Sequence, residues 1–285
     1  SFGFCLPPGT CTYVDHPRVP GQSQPPLPLH KDMSVQAERK LLHTTGSAEG
    51  EDATSAPSTE LGSEDSESEA SGDESDDAAP AHFMPEETIL IFDWDDTVLP
   101  SSWLQERGLR LDDGPAPTRE QQAQLQKMAE QAAQTLCIAK RHGKVVLVTN
   151  AEHGWIELSC QKFLPSLVSS LEEVRILSAR STYEHQGVAS PFDWKYLAFE
   201  SEINSFYETF AADGRKNVIS FGDSAHEREA LIRVTECMRN CRTKSLKFVE
   251  RPEVDQLTKE HELISGCFRH IVNHDGNLDL CIRCP

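Results

Sequence analysis

From residue 86 onward the chain alternates between two hydrophobic rhythms. Short unbroken apolar runs read as strands buried on both faces, and stretches with apolar residues three and four apart read as amphipathic helices. The first run is Thr88 to Phe92, carrying Ile89, Leu90, Ile91 and Phe92. Residues 98–117 hold Pro100, Gly108, Gly114, Pro115 and Pro117 and are expected to be loop or short turns. A helix is predicted from Thr118 to His142. Thr118 and Gln121 form a capping-box pattern at its start, and Leu125, Met128, Ala132, Leu136 and Ala139 recur at helical spacing. Val145 to Val148 is the second strand, ending in Thr149 and Asn150. A helix from Trp155 to Ser170 follows, broken or kinked at Pro165. Val174 to Leu177 is the third strand. After a polar loop comes a helix from Phe192 to Phe210, then a fourth strand, Asn217 to Phe221. A helix from Ser224 to Cys237, a fifth strand from Leu246 to Val249 and a last helix from Pro252 to Val272 complete the pattern. Strands that alternate with helices predict an α/β fold: a doubly wound, mainly parallel five-stranded sheet.

Residues 1–85 follow neither rhythm. The first thirty are rich in Pro, and residues 49–77 hold twelve Asp and Glu, many Ser and no Lys or Arg. Such a segment buries too little apolar surface to offset its ordering entropy, so residues 1–85 are expected to be disordered and residues 86–285 to form one α/β domain with a C-terminal helix. Serines 63, 66, 68, 71 and 75 lie in acidic surroundings that suit an acidophilic kinase. The formal charge of −19 argues against a nucleic-acid backbone or an anionic membrane as main partner, and no apolar run reaches spanning length. Nine scattered cysteines fit free thiols in a reducing compartment such as cytoplasm or nucleus. Cys237, Cys241, Cys281 and Cys284 have paired spacings that invite a zinc reading, but no His- or Cys-rich turn surrounds them.

The candidate chemistry gathers where the strands end. Right-handed crossovers put every parallel strand's carboxyl end on one edge, which brings Asp93, Asp95, Thr149 and Asp223 together. Asp93 and Asp95 are two apart and point the same way on an extended chain. Two such carboxylates repel, which favours a divalent cation, a shared proton, or both. An Asp93 carboxylate can attack phosphorus, Asp95 can act as general acid and then base, and Thr149 and Asn150 are placed to meet the substrate's phosphoryl oxygens. Mg2+ is the fitting cation, with Asp93, Asp95 (through its backbone carbonyl) and Asp223 as candidate ligands. A lysine should offset the remaining charge. Lys144 and Lys216 precede their strands and so fall at the wrong edge, which leaves Lys195. Glu227 either orients metal-bound water or closes a capping box with Ser224, and the two roles are compatible. His153, His226, Trp103, Arg180 and Tyr183 are near the same edge; the histidines are expected to lie on the polar surface and the other three to pack the loops.

The stretch Phe92-Asp93-Trp94-Asp95-Asp96-Thr97 resembles the first motif of the haloacid dehalogenase (HAD) superfamily, DxDxT. Val146 to Thr149 is similar to its second motif, Lys195 to the third, and Gly222-Asp223-Ser224-Ala225-His226-Glu227 to the fourth, GDxxxD. The resemblance covers about residues 86 to 250. It implies that family's Rossmann-like fold, its Mg2+ and its aspartyl-phosphate chemistry. Asp96 stands where many relatives have Gly, and Glu227 stands where the motif has Asp. An acid at position 95 resembles the phosphatases and phosphomutases of the family. The gaps from Thr97 to Thr149 and from Thr149 to Lys195 are too short for a full cap domain, which resembles the capless members that take bulky substrates. The function expected is thus a Mg2+-dependent phosphatase acting on a phosphomonoester, with a phosphoprotein among the candidate substrates. The alternative is a catalytically weak domain that binds phospho-ligands and uses its acidic tail for docking.

Overall fold

The computed structural model describes residues 82–282. The Pro-rich and acidic segments expected to be disordered, their serines and Cys284 lie outside the described residues. The first strand, β1 (Thr88–Phe92), is followed by a short helix α1 (Ser101–Glu106) and the long α2 (Arg119–His142). Next come β2 (Lys144–Thr149), α3 (Trp155–Phe163), β3 (Arg175–Ser178), α4 (Ala179–Tyr183) and α5 (Pro191–Tyr207). The chain continues through β4 (Lys216–Gly222), α6 (Ala225–Thr235), β5 (Cys241–Lys247), α7 (Val254–Asn273) and β6 (Leu278–Cys281).

All strand pairs are parallel, in the order β3-β2-β1-β4-β5-β6. From β1 the chain steps outward one way to β2 and β3, then returns to β4 and steps outward the other way. The topological switch point therefore lies between β1 and β4, the position where open α/β sheets bind ligands. Alternate residues of β1 face opposite sides. Leu90 and Phe92 join a core that includes Leu125, Leu136, Leu257 and Phe268 from α2 and α7. Ile89 and Ile91 join a second core with Ala198, Phe199, Ala230 and Leu231 from α5 and α6. That alternation is the strand period of two, and it makes the sheet doubly wound. Phe92 and Phe221, neighbours on β1 and β4, stack at 4.1 Å and 7°.

The α/β architecture matches the expectation, but the sheet has six strands among the described residues, not five. The expected fifth strand, Leu246 to Val249, overlaps only the end of the observed one: residues 241–245 do not read as strand because Thr243, Lys244 and Ser245 interrupt the apolar pattern while being buried. Tertiary partners satisfy them: the Lys244 ammonium donates to the Val272 carbonyl at 2.7 Å and lies 4.7 Å from the Phe83 ring centroid. Thr243 donates to the Thr235 hydroxyl at 2.8 Å. Thus the fifth strand begins at Cys241, and residues 248–249 follow it. β6 is a four-residue edge strand whose Leu-Asp-Leu-Cys sequence carries too short a signal to read alone. Packing also starts ahead of residue 86, since Phe83 is buried in the first core. The helix begun at Trp155 ends at Phe163, and Pro165 opens a separate 3-10 segment. The capping box at Thr118 and Gln121 forms as expected.

The cysteine spacings do not gather. Cys241 opens β5 opposite Lys216, whereas Cys281 pairs with Lys247 at the other end of β5. Six residues of strand separate those register positions by about 20 Å, too far for one zinc ion. Cys137, Cys160, Cys237, Cys241 and Cys281 are free thiols. Among the described residues no helix is long and apolar enough to cross a membrane.

A buried histidine ties the turn after β1 to the helical layer. His261 on α7 bonds the Thr97 carbonyl through Nε2 at 2.9 Å and the Thr135 hydroxyl through Nδ1 at 3.1 Å. A carbonyl only accepts, so Nε2 carries the proton and Nδ1 is the acceptor. Burial pushes the imidazole down to about 4 from 6.5, against the raising effect of the Thr97 carbonyl. The unfolded chain therefore binds a proton that the fold refuses between these values, and stability falls as pH drops from 6.5 towards 4. His261→Gln should be less stable than wild type at pH 7. The gap should narrow by roughly 3 kcal/mol as pH falls to 4, read by urea unfolding at each pH. A gap independent of pH would show that His261 is not held neutral.

Candidate active site at the β1–β4 switch point

The site is assembled from the loops that leave β1, β2 and β4 and from α5. β1 continues one residue past its last strand position, with the Asp93 amide donating to the Phe221 carbonyl of β4 at 2.8 Å. The chain then coils tightly. The Val98 and Leu99 amides both donate to the Trp94 carbonyl at 2.9 Å, and the Trp94 indole donates to the Ser159 hydroxyl at 3.0 Å. Asp96 sits in this coil at φ 50°, the left-handed region. Asp enters that region more readily than most side chains, which accounts for an Asp where glycine also serves. Its carboxylate accepts from the Ser102 amide at 2.8 Å, from the Ser102 hydroxyl and from Ser101 Oγ at 3.2 Å. Asp96 is therefore a structural acid that caps α1, while Asp93 and Asp95 face the mouth.

Lys195 is the centre of the arrangement. It lies on α5, is 1 % exposed, and reaches across the sheet edge. Its ammonium donates to Asp93 Oδ1 at 2.7 Å and to the Val148 carbonyl at 2.9 Å, and lies 3.0 Å from Glu227 Oε1. Three N–H groups thus meet three acceptors. Burial opposes its charge, but Asp93 and Glu227 more than reverse that and raise its pKa. Asp93 Oδ1 also accepts from the Trp94 amide at 2.8 Å, while Oδ2 accepts no hydrogen bond among the described residues. One oxygen of Asp93 is held and the other is open.

Glu227 closes the expected capping box and also takes a partner the sequence did not announce. Its Oε2 accepts from the Ser224 amide at 3.1 Å and from the Ser224 hydroxyl, which closes the capping box of α6. Its Oε1 pairs with Lys195. Burial raises the Glu227 carboxyl, but Lys195 and the Ser224 bonds outweigh it and hold it at about 2. The side chain crosses directly over Gly222, where a Cβ would lie 2.4 Å from Glu227 Cγ. Glycine at 222 is what lets the longer acid lie there.

Asp95 is bound through both oxygens. Oδ2 accepts from the Thr149 hydroxyl at 3.0 Å and Oδ1 from the Trp155 indole at 2.9 Å. Burial raises its pKa, partly offset by those two donors. Burial also raises Asp93, with Lys195 opposing and Glu227 and Asp95 adding. Asp223 is pushed up to about 7 by burial and by the neighbouring Glu227 and Asp96. Several carboxylates therefore share one buried ammonium and lack positive charge. Asp93, Asp223 and Glu227 each present an oxygen, and these oxygens lie within 4.8 Å of one another. The three can hold a metal ion. Of the expected ligands, Asp93 and Asp223 belong to this triad. Glu227, expected for water or metal positioning, is its third member, while the Asp95 carboxylate, expected as general acid rather than as ligand, stands outside it on Thr149 and Trp155.

Asn150 donates through Nδ2 to the Pro191 carbonyl at 3.0 Å. It thereby links the β2 loop to the start of the helix that carries Lys195. The rejected lysines lie at the far edge, as their positions before the strands require. Lys144 is 3.8 Å from Glu202, and Lys216 donates to the carbonyls of Ala212, Gly214 and Arg239. Arg180 pairs with Glu184, Tyr183 donates to the Leu197 carbonyl, and Trp103 is buried under Arg107 at 4.2 Å, so these three serve packing. His153 and His226 are exposed. Sequence reasoning missed Trp155. The signal was there: an indole N–H six residues beyond Thr149 at the start of a helix on the active edge, behind Gly154, which turns the chain at φ 89°. No family model, curated protein or solved structure matches this chain.

Replacing Lys195 by Met should expose the charge imbalance. Two buried carboxylates would lose their partner, at a cost of about 3–5 kcal/mol in metal-free buffer. Adding Mg2+ should shrink the gap to wild type, because a cation at the triad replaces the lost charge. Chemical denaturation with and without Mg2+ reads both effects. Equal stability of the two proteins without metal would mean that the carboxylates are protonated rather than paired.

Proposed function

We propose that this chain is a HAD-like phosphatase: a Mg2+-dependent phosphoric monoester hydrolase working through an aspartyl-phosphate. The observation that carries the reading is the division of labour at Asp93. Lys195 holds one oxygen at 2.7 Å while the other accepts no hydrogen bond among the described residues. That is the state of a carboxylate kept in place for in-line attack.

The donor set suits Mg2+, a hard cation that takes one or two carboxylates and completes its shell with water or substrate oxygens. Asp93, Asp223 and Glu227 would hold it, and when bound it would offset the charge of the phosphate. The chain's own groups account for the remaining steps. Asp93 Oδ2 attacks phosphorus as the ester P–O bond breaks, and the departing oxygen takes a proton from Asp95. Water then attacks the phosphorus of phospho-Asp93 and gives a proton to the Asp95 carboxylate. Phosphate leaves, Asp93 is restored, and Asp95 regains its proton. Thr149 and Trp155 aim Asp95 in both half-reactions. Lys195 opposes the protonation of Asp93 that burial favours, and steadies the charge that builds on the transferring group. Thr149 stands within reach of a phosphoryl oxygen once its hydroxyl leaves Asp95. Asn150 contributes by fixing the β2 loop against α5.

The capless outline fits a bulky phosphoester or a phosphoprotein. The rival reading, a scaffold that binds phospho-ligands without turnover, makes the opposite forecast in one assay. Wild type should hydrolyse an aryl phosphate only with Mg2+, and Asp93→Asn should fall to background. Asp95→Asn should lose about a hundredfold or more in turnover, and less with a better leaving group. Equal background rates in wild type and Asp93→Asn, with Mg2+-dependent ligand binding kept, would favour the scaffold.

A further inference from the structure

Beside Asp95 the surface opens into a cleft of about 470 Å³. The size is that of a small-molecule site. Asp95 and the Trp155 indole form its inner end. Leu104, Leu109 and Leu111 line it on one side with Ser101, Ser102 and Gln105, Phe163 lines the other, and the exposed Arg110 stands at the rim. Asp93 and Asp223 do not line it. The cleft thus takes in the Asp95 carboxylate but neither of these two triad members.

The walls are held before any ligand arrives. The Lys162 ammonium on α3 donates to the carbonyls of Leu111 and Asp112 at 2.9 and 3.3 Å, joining one wall to the other. The Leu109 amide donates to the Leu104 carbonyl at 2.9 Å. Gly114 folds so closely over Arg110 that a Cβ on it would lie 2.7 Å from the Arg110 nitrogen. The rim charge is unspent: neighbouring Glu106 pairs with Arg251 and Arg107 with Glu253, whereas Arg110 makes no ion pair among the described residues.

We propose that this cleft receives the leaving group of the substrate, and that this group is an aromatic ring bearing a second anionic substituent. The inference rests on the phosphatase reading, since it takes Asp95 as the donor to the departing oxygen. That oxygen must touch Asp95, so the atoms beyond it enter the cleft that Asp95 lines, where Ser101, Ser102 and Gln105 are the polar part. Leu104, Leu109 and Phe163 are already buried, so the apolar surface left to cover is that of the half-buried Trp155 and Leu111, which a glycerol- or serine-like leaving group would leave bare. An aromatic ring covers it, and the unpaired Arg110 lines the same cleft. A charged group on that ring finds in Arg110 a fork suited to a carboxylate or phosphate.

Phosphonates test binding apart from chemistry, because their P–C bond is not cleaved. Calorimetric titration of wild type in Mg2+ should find benzylphosphonate binding about tenfold tighter than methylphosphonate. 4-Carboxybenzylphosphonate should bind severalfold tighter again. Arg110→Ala should remove the second gain and keep the first. Leu111→Asn, at a half-buried wall position whose folding is checked by urea unfolding, should reduce the first. Three equal affinities, with methylphosphonate still requiring Mg2+, would overturn the inference and leave the phosphatase reading standing. A carboxylate gain that survives Arg110→Ala would overturn the assignment of the second anionic group. If none of the three binds and no aryl phosphate is hydrolysed, both readings fall together.

Discussion

A single buried ammonium organises the end of this sheet. Lys195 arrives from α5 yet bonds to groups following β1, within β2 and on α6. Taking a charge out of water costs several kcal/mol, and only close partners recover it. Asp93, Glu227 and the Val148 carbonyl are those partners, so each is held where Lys195 needs it. Asp93 becomes a rigid carboxylate with one free oxygen. Glu227 becomes the hinge between the capping of α6 and the charge balance of the site. The same contact that stabilises the sheet edge thereby fixes the carboxylate proposed as the nucleophile.

What surrounds that ammonium is an excess of acid. Burial raises Asp93, Asp95 and Asp223, and Lys195 alone is too little positive charge for four carboxylates. A divalent cation in the triad would relieve the excess, and a phosphate could then approach. Structure and proposed chemistry thus share one electrostatic problem. The sheet's topology supplies its location, because the order β3-β2-β1-β4 puts the loops carrying Asp93 and Asp223 on either side of the switch point.

Much of this was legible in the sequence, for identifiable reasons. The β1 run and the acids behind it need only strand period and the rule that parallel strands share a carboxyl edge. The same rule separated Lys195 from Lys144 and Lys216, whose neighbours in the fold are Glu202 and backbone carbonyls. The capping box of α6 was visible as a spacing, but its second use was not, because pairing across α5 and α6 is a tertiary fact. Lys244 hid β5 for a similar reason: a lysine reads as exposed until a carbonyl at 2.7 Å and an aromatic ring explain its burial. Trp155 was missed because the direction of its ring depends on the loop before it, where Gly154 takes a left-handed turn. In each case the missing information was the partner rather than the residue.

Helix α3 bears a mechanical consequence. Its first residue, Trp155, grips Asp95, and near its other end Lys162 grips the loop that walls the cleft. Both contacts ride on one stiff rod of nine residues. The indole on Asp95 and the tie to the wall loop are thus carried by the same element, so the placement of the one fixes the placement of the other.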